Sequence, residues 1–161
     1  MDTTPLHGAY LSLIAAAREL PREDPVFGEE LSVADWILAH LALTDAALAD
    51  TAGQMSAGRA AVFDNCKTVN ADVLGSVISL HGWPGLVELV SHNAAALTKA
   101  VARIPEGRAD RLVAVRMVNR RGIEVFADRI AWRDLIGLRA HEQIPGHTAQ
   151  LRHLRARVPR S

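Results

Sequence analysis

Cysteine is almost absent from this chain, aromatic residues are few, lysine occurs only at Lys67 and Lys99, and neither sign of charge is in excess. Each shortage excludes something. A single cysteine, Cys66, cannot form an internal disulfide or build a cysteine-based zinc finger, and its solitude fits a reducing compartment. The 18 basic side chains offset 18 acidic ones, so the concentrated cationic surface on which nucleic-acid affinity depends is missing. Its nearest approach, Arg116, Arg120 and Arg121 with Arg129, reads as a solvated hairpin. No uninterrupted apolar run is long enough to span a bilayer, and MDTTPLHGAY lacks the basic stretch and hydrophobic run of a secretory signal. The expectation is a cytoplasmic protein with neither a membrane nor a nucleic-acid partner.

What is present is an alanine- and arginine-rich composition, typical of high-GC bacterial coding, in a length that suits one domain over 1–161. A chain of this size removes about 70% of its unfolded surface from water and needs no staple. Leu6, Tyr10, Leu13, Ile14 and Ala17 mark a first apolar-striped helix, with Pro5 at its first turn and Pro21 at its end. Arg22 to Glu30 reads as a loop, and Ser32 with Asp35 as a weak capping box opening a second helix over about 33–49. Gly53 to Asn65 carries little pattern, as a loop or a frayed continuation. A third helix is expected over about 67–80, closed by His81, Gly82 and Pro84, and a fourth from Gly85. After Pro105 the period changes to two: RLVAVRMV, a turn at NRRG and IEVFAD predict a hairpin over about 112–127. A last helix, about 132–157, must kink or restart at Pro145-Gly146. The fold class read from this order is mainly α, an antiparallel four-helix bundle with a small β-hairpin before the last helix.

Two histidines stand out within it. His40 shares a helical face with Val33, Trp36, Ile37, Leu43 and Ala47, the core side of the second helix, and His147 shares one with Leu151 and Leu154. A neutral imidazole on such a face needs a partner for each ring nitrogen. Bundle cores commonly build metal and cofactor sites from facing side chains on different helices, although a core histidine can equally be a packed, hydrogen-bonded residue. Asn65 and Asn70 flank a helix start as caps or ligand contacts, and Gln150 lies one turn after His147, where it could orient the ring. Asp45, five residues past His40, is expected to face solvent or a neighbouring helix, and Trp36 to pack in the core or wall a pocket. Cys66 lacks an adjacent base and reads as an incidental thiol rather than a nucleophile.

The segments WILAHLALTDAAL and HEQIPGHTAQLRHL resemble the corresponding helices of the DinB-like superfamily of bacterial four-helix bundles, which includes metal-dependent thiol transferases and mycothiol-dependent maleylpyruvate isomerases. The resemblance implies a divalent metal, zinc or nickel, held by one histidine of the second helix and an HxxxH pair of the last. His40 matches the first of these ligands and His147 the final one. Gln143 stands where the middle histidine would be, and His141 is the nearest substitute, about 240° round an ideal helix from His147. The resemblance further implies a small electrophilic substrate and a low-molecular-weight thiol such as mycothiol; a homodimer is one candidate assembly, the oligomeric state being open from sequence.

Three readings follow. In the first, His40 and His147, with Gln143 or His141, hold a metal that activates a bound thiol or water. In the second, the two imidazoles act without metal as general base and acid in an isomerisation or cyclisation, with Gln143 orienting a carbonyl. In the third, a non-catalytic ligand-binding or stress-associated bundle keeps the fold and a pocket.

Overall fold

The computed structural model describes residues 1–20 and 28–157, the side chains of 28–32 excepted. It is mainly helical, with a small three-stranded sheet. In chain order the elements are α1 (Thr4–Arg18), α2 (Gly28–Ser56), β1 (Val62–Asp64), α3 (Cys66–Val69), α4 (Ala71–Ala102), β2 (Leu112–Val118), β3 (Glu124–Ala131), α5 (Trp132–Leu138), a π-helical turn (Arg139–Gln143) and α6 (Ile144–Ala156).

Helix α2 is the centre of the structure. It carries buried residues on almost every side, Ala34, Ile37, Leu38, Ala39, Leu41, Ala42, Asp45 and Leu48 among them, because α4, α6 and β1 all pack against it. A helix enclosed in this way keeps only a narrow solvent stripe, at Ala46, Asp50 and Gly53, so polar residues elsewhere on it are forced into the interior. It begins at Gly28, ahead of the expected capping box, which places Ser32 inside the helix. Of the loop expected over Arg22 to Glu30, residues 22–27 lie outside the described residues and 28–30 are helical. Val33, assigned to the core face with His40, is half exposed.

The third and fourth helices form one element, α4, broken at Gly82, whose φ of 59° and ψ of 180° only glycine adopts without strain. Pro84, lacking an N–H, restarts the helix two residues later. Gly82→Ala is therefore expected to cost about 1–3 kcal/mol, read as a lower thermal midpoint, whereas Gly75→Ala in the same helix should not destabilise. Taken whole, α4 is long and apolar enough to cross a membrane by length and composition, a property hidden when its two halves are read separately. Its Leu74, Leu86, Val90, Leu97 and Val101 lie in the protein core, while 22% of its most apolar window is buried.

The hairpin of β2 and β3 forms where the period-two pattern predicts it, pairing Leu112 with Ala131 and Met117 with Phe126. Pattern reading missed β1, which adds to β2 in parallel with Val62 beside Ala114. Its buried Phe63, with Val113 and Val115 of β2, joins the sheet to the helical core. At the hairpin end, the Asn119 side-chain oxygen accepts the backbone N–H groups of Arg121 (2.9 Å) and Ile123 (3.2 Å), and Gly122 takes a positive φ of 74°. That tight turn presents Arg120 above the N-terminal half of α2.

Candidate active site

A cavity of about 380 Å³ lies between α2, the sheet and the last helices. Trp36, His40 and Thr44 supply one wall, Phe63, Thr68 and Met117 another, and Leu135, Gln143 and His147 a third, with Arg120 at the rim. His40 and His147, 107 positions apart in the chain, meet edge to face across it, with ring centroids 5.7 Å apart.

Each imidazole is held through Nδ1, and neither Nε2 has a hydrogen-bond partner among the described residues. The Nδ1 atom of His40 lies 2.7 Å from the backbone carbonyl oxygen of Thr68. A carbonyl can only accept, so Nδ1 carries the proton and Nε2 of the neutral ring keeps its lone pair. The Nδ1 atom of His147 likewise donates to Oε1 of Gln150 at 2.9 Å. Thr68 is fixed in turn by Asn65, whose carbonyl accepts the Thr68 N–H (2.9 Å) and hydroxyl (3.1 Å). The Asn65 side chain spans to β2, accepting from Val118 N at 2.7 Å and donating to Val118 O at 3.1 Å. The tautomer of His40 is thereby tied to the sheet through α3.

Burial depresses the His40 pKa to about 4, with the charges of Arg139, His147 and Arg120 adding to it against the Thr68 hydrogen bond. Burial also lowers the pKa of His147, with Arg139 contributing and the Gln150 hydrogen bond opposing. Both rings are neutral at pH 7. Because the folded pKa of His40 lies below its unfolded value near 6.5, the unfolded chain binds more protons between those limits and stability falls as the solution is acidified. A loss of about 2–3 kcal/mol is expected between roughly pH 6.5 and 4, and His40→Gln should flatten that part of a denaturant-measured stability profile.

Trp36 stacks flat on His40, with centroids 4.9 Å apart and planes 9° from parallel, and the Arg120 guanidinium sits 3.8 Å over the Trp36 ring. The column Arg120, Trp36, His40 forms one side of the cavity mouth, so Trp36 walls the pocket as well as packing.

Behind the cavity lies an ionic network that the sequence reading did not find. Arg139, in the π-turn, is 1% exposed, and Asp45, expected to face solvent or a neighbouring helix, is 0% exposed. Arg139 donates to Asp45 Oδ1 through Nε (3.0 Å) and a terminal nitrogen (2.5 Å), and the Tyr10 hydroxyl donates to the same oxygen. Burial pushes the Asp45 carboxyl upward against the pull of Arg139 and Tyr10. Burial works against the Arg139 charge too, but Asp45 and Tyr10 more than offset it and raise the guanidinium pKa. Arg139 also donates to the Leu41 carbonyl and, at 3.3 Å, to Gln143 Oε1. Because a guanidinium only donates, the Gln143 oxygen is turned toward it and the amide NH2 is left for other partners. π-turns recur at functional sites, and this one sets Gln143 at the cavity wall and Arg139 behind it.

The other sequence candidates are not brought to the cavity in a ligating role. His141 is exposed and lines a separate depression between α1 and the last helix, away from His40 and His147. Asn70 caps α4, accepting from Val73 N at 3.0 Å. Asn65 borders the cavity with its amide committed to Val118, and Gln150 acts on it only through His147. Cys66 receives a hydrogen bond from Arg116, and the neighbouring Asp64 raises its pKa, the opposite of thiolate activation.

A metal of the kind the DinB-like resemblance implies requires three converging donors. Two are present and preorganised, since metal-bound imidazoles characteristically donate their second N–H to an oxygen. The third is not. Gln143 is a neutral amide with its oxygen on Arg139, and no group of three His, Cys, Asp or Glu side chains converges among the described residues. Two nearby guanidiniums oppose a further cation. The donor set does not fit the three-histidine centre. Comparison with family models, characterised proteins and solved structures finds no match to this chain.

Proposed function

We propose that this chain is a DinB-like antiparallel four-helix bundle, α1, α2, α4 and the composite α5–α6 helix, carrying a hairpin and a metal-independent active site for a small electrophilic substrate. The observation that supports it best is the pair of imidazoles whose Nδ1 atoms are both committed to carbonyl oxygens, leaving two Nε2 lone pairs at one cavity. Such a pair accepts protons. The more strongly depressed His40 is the weaker base and serves as an acceptor that orients the nucleophile, while His147 takes its proton.

The nucleophile is a thiol, such as mycothiol, or water. Its S–H or O–H proton passes to Nε2 of His147 as its sulfur or oxygen bonds to the electrophilic carbon. The displaced electron pair moves onto the substrate's carbonyl oxygen, where the Gln143 amide donates a hydrogen bond. The imidazolium then returns its proton to the adduct. Reversal of the addition after bond rotation would give isomerisation, and its completion a transfer. The test is turnover on small unsaturated carbonyl compounds with and without a low-molecular-weight thiol. Absence of turnover would leave the pocket to ligand binding alone.

The role of metal is tested at Gln143. Gln143→His restores the HxxxH spacing with His147, and an imidazole in place of an amide should tighten zinc at least tenfold in a competition titration, on the order of 1.4 kcal/mol. The parent should bind zinc no tighter than about micromolar. Tight stoichiometric zinc in the parent, with turnover that depends on it, would overturn the metal-independent reading.

A further inference from the structure

The chemistry of the ligand is written in what lines the cavity. Leu48, Phe63, Met117 and Leu135 give it an apolar lining, and among the described residues no aspartate or glutamate lines it. Among the described residues, the one formally charged side chain at its wall is Arg120. Its guanidinium is exposed at the rim, held over the Trp36 ring by a turn that Asn119 braces, and forms no ion pair among the described residues. Stacking leaves the edge of the guanidinium free to donate while fixing its plane. On the opposite side the Gln143 amide NH2 is left to donate because Arg139 holds its oxygen. The two imidazole Nε2 atoms add acceptors and no positive charge.

We infer that the cavity selects a small monocarboxylate with an apolar body, its carboxylate paired in two-point fashion with Arg120 and its body seated on Leu48, Phe63, Met117 and Leu135. This rests on the cavity being the active site and adds its substrate class. An arginine fork matches a carboxylate bidentately, and a charge-assisted pair of this kind contributes more than a neutral contact. A dication or an amine would meet no carboxylate among the described residues of the cavity wall.

The experiment is calorimetry with 3-phenylpropionate and its amide, 3-phenylpropionamide, on the intact chain at pH 7. The parent should bind the acid about tenfold tighter than the amide, the value of a charge-assisted hydrogen bond at a solvent-facing rim. Arg120→Gln should bring the acid within about twofold of the amide and leave amide affinity unchanged, while His147→Ala weakens both probes alike by removing a wall they share. Equal affinity of acid and amide in the parent would overturn the inference, as would a preference that survives Arg120→Gln, indifference of both probes to His147→Ala, or no binding of either. The parent reading fails separately: if turnover is untouched by His147→Ala while the Arg120-dependent preference holds, the pocket selects carboxylates without the proposed chemistry.

Discussion

Asp45→Ala is expected to cost about 3–5 kcal/mol of stability, because it leaves the guanidinium of Arg139 buried without a counter-charge. In a domain of this size the thermal midpoint should fall on the order of 10 °C. The loss is one of stranding rather than of attraction: the pair itself stands near balance against the desolvation of both charges, and it is the removal of one partner that is costly. Arg139→Ala should fall in the same range, and the double variant Asp45→Ala/Arg139→Ala should be less destabilised than the two single losses added together. Tyr10→Phe removes one hydrogen bond to the same oxygen and should cost about 1–2 kcal/mol. Denaturant unfolding of the four variants measures all of this. A loss below about 1 kcal/mol in Asp45→Ala would mean that water reaches Arg139 and that the network is not sealed as the structure has it.

The second large effect concerns chemistry. If His147 takes the nucleophile's proton, His147→Ala should lower kcat by about 10²- to 10⁴-fold, the range of a lost general base. His40→Ala should act differently. It removes an acceptor that orients the nucleophile and the ring on which Trp36 stacks, so kcat/KM should fall by at least tenfold with a rise in KM. Steady-state kinetics on whichever unsaturated carbonyl compound is turned over distinguishes the two roles. Equal activity of parent and His147→Ala would remove the assigned mechanism.

The meeting of His40 and His147 could be read from the chain because each sits at helical spacing from core residues, and inward faces of packed helices converge. The hairpin was legible for a similar reason, its change of period being sustained over several residues on each strand. The Asp45–Arg139 pair was not. Face reasoning assigns a carboxylate to solvent when a helix has a solvent face, and α2, enclosed by its neighbours, has almost none. Its partner is 94 residues away, on a π-turn that helical periodicity does not anticipate. Strand β1, three residues long and paired to β2 in parallel, is too short to show a period of its own. Arg120 looked like part of a solvated hairpin. What gives it a place at the cavity is the turn at Asn119 and the ring of Trp36, contacts made across the fold.

The proposed chemistry rests on the protonation of two rings, which nitrogen-15 NMR of the histidine side chains reads directly. At pH 7 both His40 and His147 should show the neutral tautomer with the proton on Nδ1 and an unprotonated Nε2, and His40 should titrate near pH 4. A proton on Nε2 of either ring, or a His40 that titrates near its ordinary 6.5, would contradict a cavity furnished with two free imidazole lone pairs.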